Sequence, residues 1–278
     1  MTDTPETDDL HPKGRVLSIA GSDSSGGAGI QADIKAVTAL GGYASTAITA
    51  ITVQNTRGVS AVHPVPADII AGQIEAVLSD IGADAIKTGM LATTEVIETV
   101  IKALDDHGDP IIPLVVDPVM VATSGDRLID EAAVEAVRDQ LLPRATLITP
   151  NVPEAEALTG GKVEDMETQQ AAAEMLLEMG ARAALVKGGH LEGNIVIDVL
   201  ATRNGVRVFT RPRIRTRQTH GTGCTLASAI AALLAQGLPM DRAVEEAGDY
   251  LHEAIQRAPG FGEGSGPVNH GWPVAGKL

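Results

Sequence analysis

Val16-Leu17-Ser18-Ile19-Ala20 runs into Gly21-Ser22-Asp23-Ser24-Ser25-Gly26-Gly27-Ala28-Gly29, after which Ile30, Ile34, Val37 and Leu40 recur at helical spacing. A short apolar run, a glycine- and serine-rich loop and a helical period make one strand–loop–helix unit, which Gly41-Gly42 ends. The unit then repeats. Ala47 to Val53 reads as a strand closing on Gln54-Asn55-Thr56-Arg57-Gly58, and Pro66 and Asp68 open a helix through Ser79. Ala85-Ile86-Lys87 is a strand running into Thr88-Gly89-Met90-Leu91, with Thr93 or Thr94 capping the helix that follows. Ile111 to Val116 closes on Asp117-Pro118-Val119-Met120 before a helix from about Glu131 to Leu142. Leu147-Ile148 leads to Thr149-Pro150-Asn151-Val152-Pro153-Glu154, then helices to Met179 and a strand over Ala184-Leu185-Val186-Lys187.

From Ile195 to Ile214 the pattern changes to short strands around an Asn204-Gly205 hairpin signal. Helices over Thr222–Gln236 and about Asp241–Arg257 complete the chain. Alternating strands and helices predict an α/β fold: a mostly parallel sheet, helices on both faces and a small hairpin extension at one side. Residues 1–13 read as a disordered acidic tail, and 14–278 as a single domain without repeats or linkers.

Composition narrows the class. Of 278 residues 44% are hydrophobic but only 2% aromatic, so aliphatic side chains and alanine must fill the core. A net charge of -15 disfavours nucleic acid and anionic membranes as partners. One cysteine excludes an intramolecular disulfide or a Cys-rich zinc site, and no apolar run approaches a membrane span. A soluble, cytoplasmic protein is expected.

That cysteine lies in Thr219-His220-Gly221-Thr222-Gly223-Cys224-Thr225, a glycine loop entering an alanine- and leucine-rich helix. Free N–H groups at a helix start, with glycines that admit an anion, form a phosphate cradle, and the local field there lowers a thiol's pKa. A turn feeding a core helix, with the cysteine a small buried hydrophobe, fits the same residues.

Ligands of open α/β sheets bind beyond the strands' carboxyl ends. Gly21–Gly29, Gln54–Arg57, Lys87–Met90, Asp117–Met120 and Asn151–Glu154 all fall there and suggest a single active edge. Gly27-Ala28-Gly29-Ile30-Gln31-Ala32 fits a dinucleotide fingerprint, but no Asp or Glu lies between Asp33 and Asp68 to take the ribose. Walker A, His-Glu-x-x-His and Gly-x-Ser-x-Gly patterns are absent. Glu154 reads either as a helix cap or as an acid holding Mg²⁺ through water. Arg203, Arg207, Arg211, Arg213, Arg215 and Arg217 form a basic run, the last four spaced for one strand face. They are either a solvated, guarded edge or, through Arg213 and Arg217, a hold on nucleotide phosphates.

Together these segments resemble the hydroxymethylpyrimidine/phosphomethylpyrimidine kinases of the ribokinase-like superfamily. The resemblance runs from Ala20 to His270 and also rests on Val186-Lys187-Gly188-Gly189-His190 and Gly266-Pro267-Val268-Asn269-His270. It implies a three-layer α/β/α fold and ATP-dependent phosphorylation of 4-amino-5-hydroxymethyl-2-methylpyrimidine, then of its monophosphate, with Mg²⁺, in thiamine biosynthesis. It implies that Gln54 binds the ring edge, Asp33 holds the hydroxymethyl group and Met90 packs beside the ring, with Gly21 and Asp23 in the same pocket. Gly221, Thr222, Gly223 and Cys224 would form the anion hole, with Cys224 as proton acceptor where most ribokinase relatives carry Asp. Glu154 would be the metal acid, with Asp117, Asn151 and Lys187 along the phosphate path. Relatives of this kind are commonly homodimers. Gly262-Glu263-Gly264-Ser265 and Thr123 depart from the family's more frequent His or Lys. The close alternative is a pyridoxine/pyridoxal kinase; a silent pyrimidine sensor would need neither the 221–224 loop nor Glu154.

Overall fold

The structure, a computed structural model, describes residues 11–121 and 129–275. Residues 1–10 of the expected tail, and Thr123, lie outside the described residues. Lys13 N–H already donates to Gly41 O at 2.8 Å.

A nine-stranded sheet runs through the described chain. Strands β1 (Arg15–Asp23), β2 (Tyr43–Asn55), β4 (Ala85–Thr88), β5 (Leu114–Val116), β6 (Leu147–Ile148) and β7 (Ala183–Val186) are mutually parallel. The edges are antiparallel: β3 (Gly58–Pro64) folds back on β2, while β8 (Ile195–Thr202) and β9 (Gly205–Pro212) form a hairpin beside β7. The spatial order is β3-β2-β1-β4-β5-β6-β7-β8-β9, so the winding reverses at β1.

Among the described residues eight α-helices cover the sheet, six between strands and two after the last: α1 (Gly29–Ala39), α2 (Ala67–Ala76), α3 (Thr94–His107), α4 (Glu131–Ala136), α5 (Val152–Thr159), α6 (Met166–Glu178), α7 (Thr222–Ala235) and α8 (Met240–Gln256). Successive strand residues face opposite sides, so each buried strand feeds two cores. Leu17, Ile86, Val116 and Ile148 pack with α2 to α6, for example against Ile74, Ile97 and Leu176. Val16, Ala85, Val115 and Leu147 pack on the other face with α1, α7 and α8, where alanine dominates: Ala227, Ala229, Ala231 and Ala232 are wholly buried. Small side chains bring α7 close to both the sheet and α1, and α7 carries the cysteine loop at its start.

Three expectations change. The turn after Gln54 is the tip of a β2–β3 ribbon, so hairpins flank both edges; Val59 to Val62 lacks the clear alternation that marks a half-buried strand, because most of β3 is exposed. The strand β9 ends at Pro212, whose ring cannot donate to a ladder, so Arg213, Arg215 and Arg217 are not on one strand face with Arg211. The helices from Ala67 and Glu131 widen into single π turns at Val77–Ile81 and Val137–Leu141. Thr93 is the cap of α3, accepting from Val96 N–H.

Ile19 lies wholly buried in β1. Ile19→Ala is expected to lower unfolding free energy in urea titration by about 2–5 kcal/mol, the range for a core cavity.

Candidate active site

The loops after β1, β2, β4, β5, β6 and β7 meet at the sheet's carboxyl edge, around a cleft of about 900 Å³. This is where the strand order reverses, the usual crevice for ligands in such sheets.

Gly221 caps α7 in the left-handed conformation, φ +79°, and any side chain there would collide with Gly27 O. Thr225 Oγ donates back to Gly221 O at 2.7 Å and locks the turn. Thr222 N–H donates to Thr219 O at 3.3 Å, whereas the first-turn N–H groups of Gly223 and Cys224 have no helical carbonyl before them and are available to an anion. A Cβ on Gly223 would lie 3.3 Å from Lys187 Nζ; bare backbone there keeps lysine and loop together.

The loop is clamped to the β1–α1 turn by His220, whose Nε2 is 2.8 Å from Asp23 Oδ2. That carboxylate also accepts from Ser25 and from the N–H groups of Gly27 and Ala28. Burial alone would raise its pKa, yet the hydrogen bonds from His220, Ser25 and Ala28 hold it below the usual value. His220 appeared in the sequence only as a member of the glycine loop; its pairing with a residue 197 positions away left no local signal.

Cys224 lines the cleft, partly buried, with Gly29 N–H directed at its sulfur. Two helix starts therefore converge on one thiol. The expected lowering of its pKa is not found: burial pushes the thiol up to about 11, outweighing Lys87 and the Gly29 N–H. A helix start favours a thiolate, but burial, together with the nearby Asp33 and Asp117, disfavours it more.

Asp33 is the second correction. The residue is wholly buried and does not line the cleft, so it offers no contact to a hydroxymethyl group. Instead it binds Lys87 Nζ through both oxygens at 3.0 Å and accepts from Ser18 at 2.5 Å and Ser228 at 2.6 Å. Its place, one turn into α1 beneath Gly29, puts it under the floor.

Across the floor, Lys187 Nζ meets Asp117 Oδ1 at 3.0 Å, and Thr149 Oγ donates to the same oxygen at 3.2 Å. Burial would strip the Lys187 proton, but Asp117 and Glu154 keep its pKa raised. Asn151 and Glu154 form a capping box on α5, each side chain bonded to the other's backbone N–H. Both also line the cleft, so the cap and the candidate metal site are one structure. Burial lifts the Glu154 carboxyl to about 7. Such an acid has an unmet preference for positive charge, and a lone carboxylate suits Mg²⁺ that keeps water and takes its other oxygens from phosphates. No cluster of three metal-ligating side chains exists among the described residues.

On the β2 side, Gly21, Asp23, Thr52, Gln54 and Met90 line the cleft. A Cβ on Gly21 would lie 2.5 Å from Met90 Cε, so this glycine makes room for the methionine. Thr52 Oγ lies 2.9 Å from Ser22 O and 3.2 Å from Gln54 Oε1, leaving the Gln54 amide nitrogen as the end available to a ring acceptor. The chain's last segment fastens this side to the phosphate loop. Ser265 N–H donates to Thr56 O at 2.8 Å, His220 N–H to Gly266 O at 3.0 Å, and Asn269 N–H to Ala254 O at 2.9 Å.

On the far side the cleft is lined by Val196, Ile214, Leu251 and Ile255, a slot between the β8–β9 hairpin and α8. The guanidinium of Arg213 also lines the cleft but is engaged with the carbonyls of Gly189, Leu191 and Gly193. It braces the 189–193 loop. Arg211 ties β9 to α8 through Asp249 and Glu245 O, lying flat over Gly248, where a side chain would collide with it. Asp198, absent from the sequence reading, accepts from Gly188 N–H at 3.0 Å beneath Lys187.

Gly221→Ala is expected to cost about 1–3 kcal/mol in thermal unfolding through strain at a positive φ, and to abolish measurable turnover. For Glu154, the carboxyl titrates near 7 in the folded chain against 4.5 unfolded, so burying its charge destabilises the fold increasingly as pH rises through that window. Glu154→Gln should therefore melt higher than wild type at about pH 8, with the gain shrinking toward about pH 5.

The sequence profile of the family described as phosphomethylpyrimidine kinase matches residues 23–269. The chain is 51% identical over 259 residues to the thiamine biosynthesis bifunctional protein ThiED of Geobacter sulfurreducens, covering 93% of this chain but only about half, 52%, of that protein. It is 45% identical to the hydroxymethylpyrimidine/phosphomethylpyrimidine kinase of Bacillus subtilis, covering 92% of this chain and 94% of the relative. Among solved structures, the pyridoxal kinase of Staphylococcus aureus in complex with AMP-PCP and pyridoxal superposes with a TM-score of 0.85 at 37% identity, covering 93% of each chain. The chain belongs to the phosphomethylpyrimidine kinase family and has the ribokinase-like fold expected from its motifs.

Proposed function

We propose that this chain transfers the γ-phosphoryl group of ATP to the hydroxymethyl oxygen of 4-amino-5-hydroxymethyl-2-methylpyrimidine, and then a second one to the resulting monophosphate, in thiamine biosynthesis. One observation carries the proposal. The only cysteine stands at the start of α7, between a pocket lined by Gln54 and Met90 and a floor of Lys187, Asp117 and Glu154.

Phosphoryl transfer needs alignment and charge stabilisation more than covalent chemistry. Gln54 and Met90 set the ring, with Gly21 and Asp23 beside it, so that the alcohol oxygen faces Cys224. The Gly223 and Cys224 N–H groups, in the loop that Gly221 and Thr222 shape, hold the transferring phosphoryl oxygens, and Lys187 adds a positive charge across from them. Mg²⁺, held by Glu154 through water and by the phosphates, would neutralise further charge on those oxygens. Asn151 keeps Glu154 in place through the capping box. The slot of Val196, Ile214, Leu251 and Ile255 takes the adenine, and Arg213 shapes its entrance by bracing the 189–193 loop.

At a thiol pKa of about 11, Cys224 carries its own proton in the free chain at neutral pH. It accepts the alcohol's proton from its thiolate form, which positive charge in the loaded cleft must draw out. The low pKa inferred from the helix start is therefore not needed for the role; a late proton transfer, once the O–P bond is forming, is.

The pyridoxal kinase likeness keeps vitamin B6 alcohols as the second reading, because the scaffold is shared. A cytoplasmic homodimer without nucleic-acid or membrane partners completes the proposal. The net charge of -15 disfavours nucleic acid and anionic membranes as partners.

Purified protein with Mg·ATP should release ADP with the pyrimidine alcohol and with its monophosphate faster than with pyridoxal. Preference for pyridoxal would overturn the assignment, and no release with any of them would revive a silent binding protein. Cys224→Ala should lower kcat by about 10²–10⁴-fold with little change in KM for the alcohol.

A further inference from the structure

Lys87 is the largest side chain withdrawn completely from water among the described residues, and the reaction outlined above does not use it. A buried ion pair is weak evidence for stability, since apolar residues of similar volume often serve as well. Its surroundings point elsewhere. Cys224 and Ser228 are four residues apart on α7, and Gly29 and Asp33 are four apart on α1, so each pair shares a helix face one turn apart. The first turns meet where Gly29 N–H reaches the Cys224 sulfur, and the second turns meet where Ser228 Oγ donates to Asp33 at 2.6 Å. Lys87 enters this second layer from β4, its ammonium held 3.0 Å from both Asp33 oxygens. Gly89 leaves room for it: a Cβ there would sit 2.9 Å from Nζ.

We propose that Lys87, held by Asp33, is a positioning residue that acts through Cys224, its buried ammonium stabilising the sulfur's anionic form while that sulfur takes the substrate's hydroxyl proton. The inference rests on the reading of Cys224 as the group facing the substrate alcohol. The thiol proton leaves to solvent beforehand; the hydroxyl proton then passes to the sulfur as the new O–P bond forms and ADP departs. Lys87 keeps its own proton throughout. Asp33 raises that ammonium's affinity for its proton against the penalty of burial. Four charged groups act on the sulfur: Lys87 from β4, Asp33 from α1, Asp117 after β5 and Lys187 after β7. Only Lys87 and Asp33 lie outside the cleft, where ligands cannot displace them.

Because the chain has one cysteine, alkylation by iodoacetamide, followed by intact mass across a pH series, reads this sulfur alone. At about pH 9 the full-length Lys87→Met variant should react up to about tenfold more slowly than wild type, each unit of thiol pKa being a tenfold change in thiolate. Asp33→Asn removes the carboxylate that keeps the buried ammonium charged, so Lys87 gives up its proton and this variant too should react more slowly. The double variant Asp33→Asn/Lys87→Met, whose neutral amide can still pair with Ser18 and Ser228, should match Asp33→Asn. Asp33→Asn decides the matter even where Lys87→Met does not fold, because loss of a negative charge alone would speed alkylation. Asp33→Asn reacting as fast as wild type or faster, or a double variant reacting at the wild-type rate, would sink the proposal. Turnover with Mg·ATP and the pyrimidine alcohol is the separate arm: kcat should fall in Lys87→Met with KM unchanged. Alkylation rates that move as expected beside an unchanged kcat support the buried charge and instead overturn the part given to Cys224 in turnover.

Discussion

The carboxylate of Asp33 joins four elements at a point no water reaches. Ser18 of β1, Lys87 of β4, its own helix α1 and Ser228 of α7 all terminate there. Removing one partner of such a pair leaves an uncompensated buried charge, a loss of about 3–5 kcal/mol. The knot therefore fixes α1 and α7 against the two central strands, and with them the two helix starts that meet above it. The alanine-rich face of α7 makes that approach possible, because larger side chains would hold the helix away.

Everything in the cleft inherits its position from this arrangement. The β1–α1 turn and the α7 loop are held together by the Asp23–His220 contact, so the alcohol pocket and the phosphate cradle cannot drift apart independently. Across the floor the same logic repeats with opposite sign. Lys187 sits among Asp117, Glu154 and Asp198, and burial, opposed by Lys187 and helped by Asp117, leaves Glu154 with a raised pKa that a divalent ion would satisfy.

Much of this was legible in the residues. Strand–loop–helix periodicity gave the parallel sheet, and five polar clusters at strand ends pointed to the edge where one cleft opens, because both depend on local pattern. The glycine loop was recognisable since Gly221 needs a left-handed backbone that its neighbours do not. Asp33 and Lys87 were not separable from pocket residues by sequence, because their meaning lies in a contact between positions 54 apart. The Cys224 thiol was misjudged for a related reason: a helix start is visible in sequence, while the burial that overrides its field is not. The basic run divided along a similar line, with Arg207 in an ion pair to Asp241, Arg211 bracing a helix and Arg213 a loop. Likewise β3 escaped notice, being an exposed ribbon strand without a core face.

The closing segment carries a different implication. Between Gly262 and Asn269 the chain is fastened by its own backbone, to Thr56 on one side and to His220 and Ala254 on the other. At Gly262, Gly264 and Gly266 a side chain would collide with Thr56, with its carbonyl, or with Gln218. The stretch thus behaves as a belt in which length and bare links matter more than the exposed side chains, Glu263 meeting only the exposed Arg57 while Val268 alone of its apolar groups is buried. Inserting or deleting one residue would loosen both ends of the cleft at once.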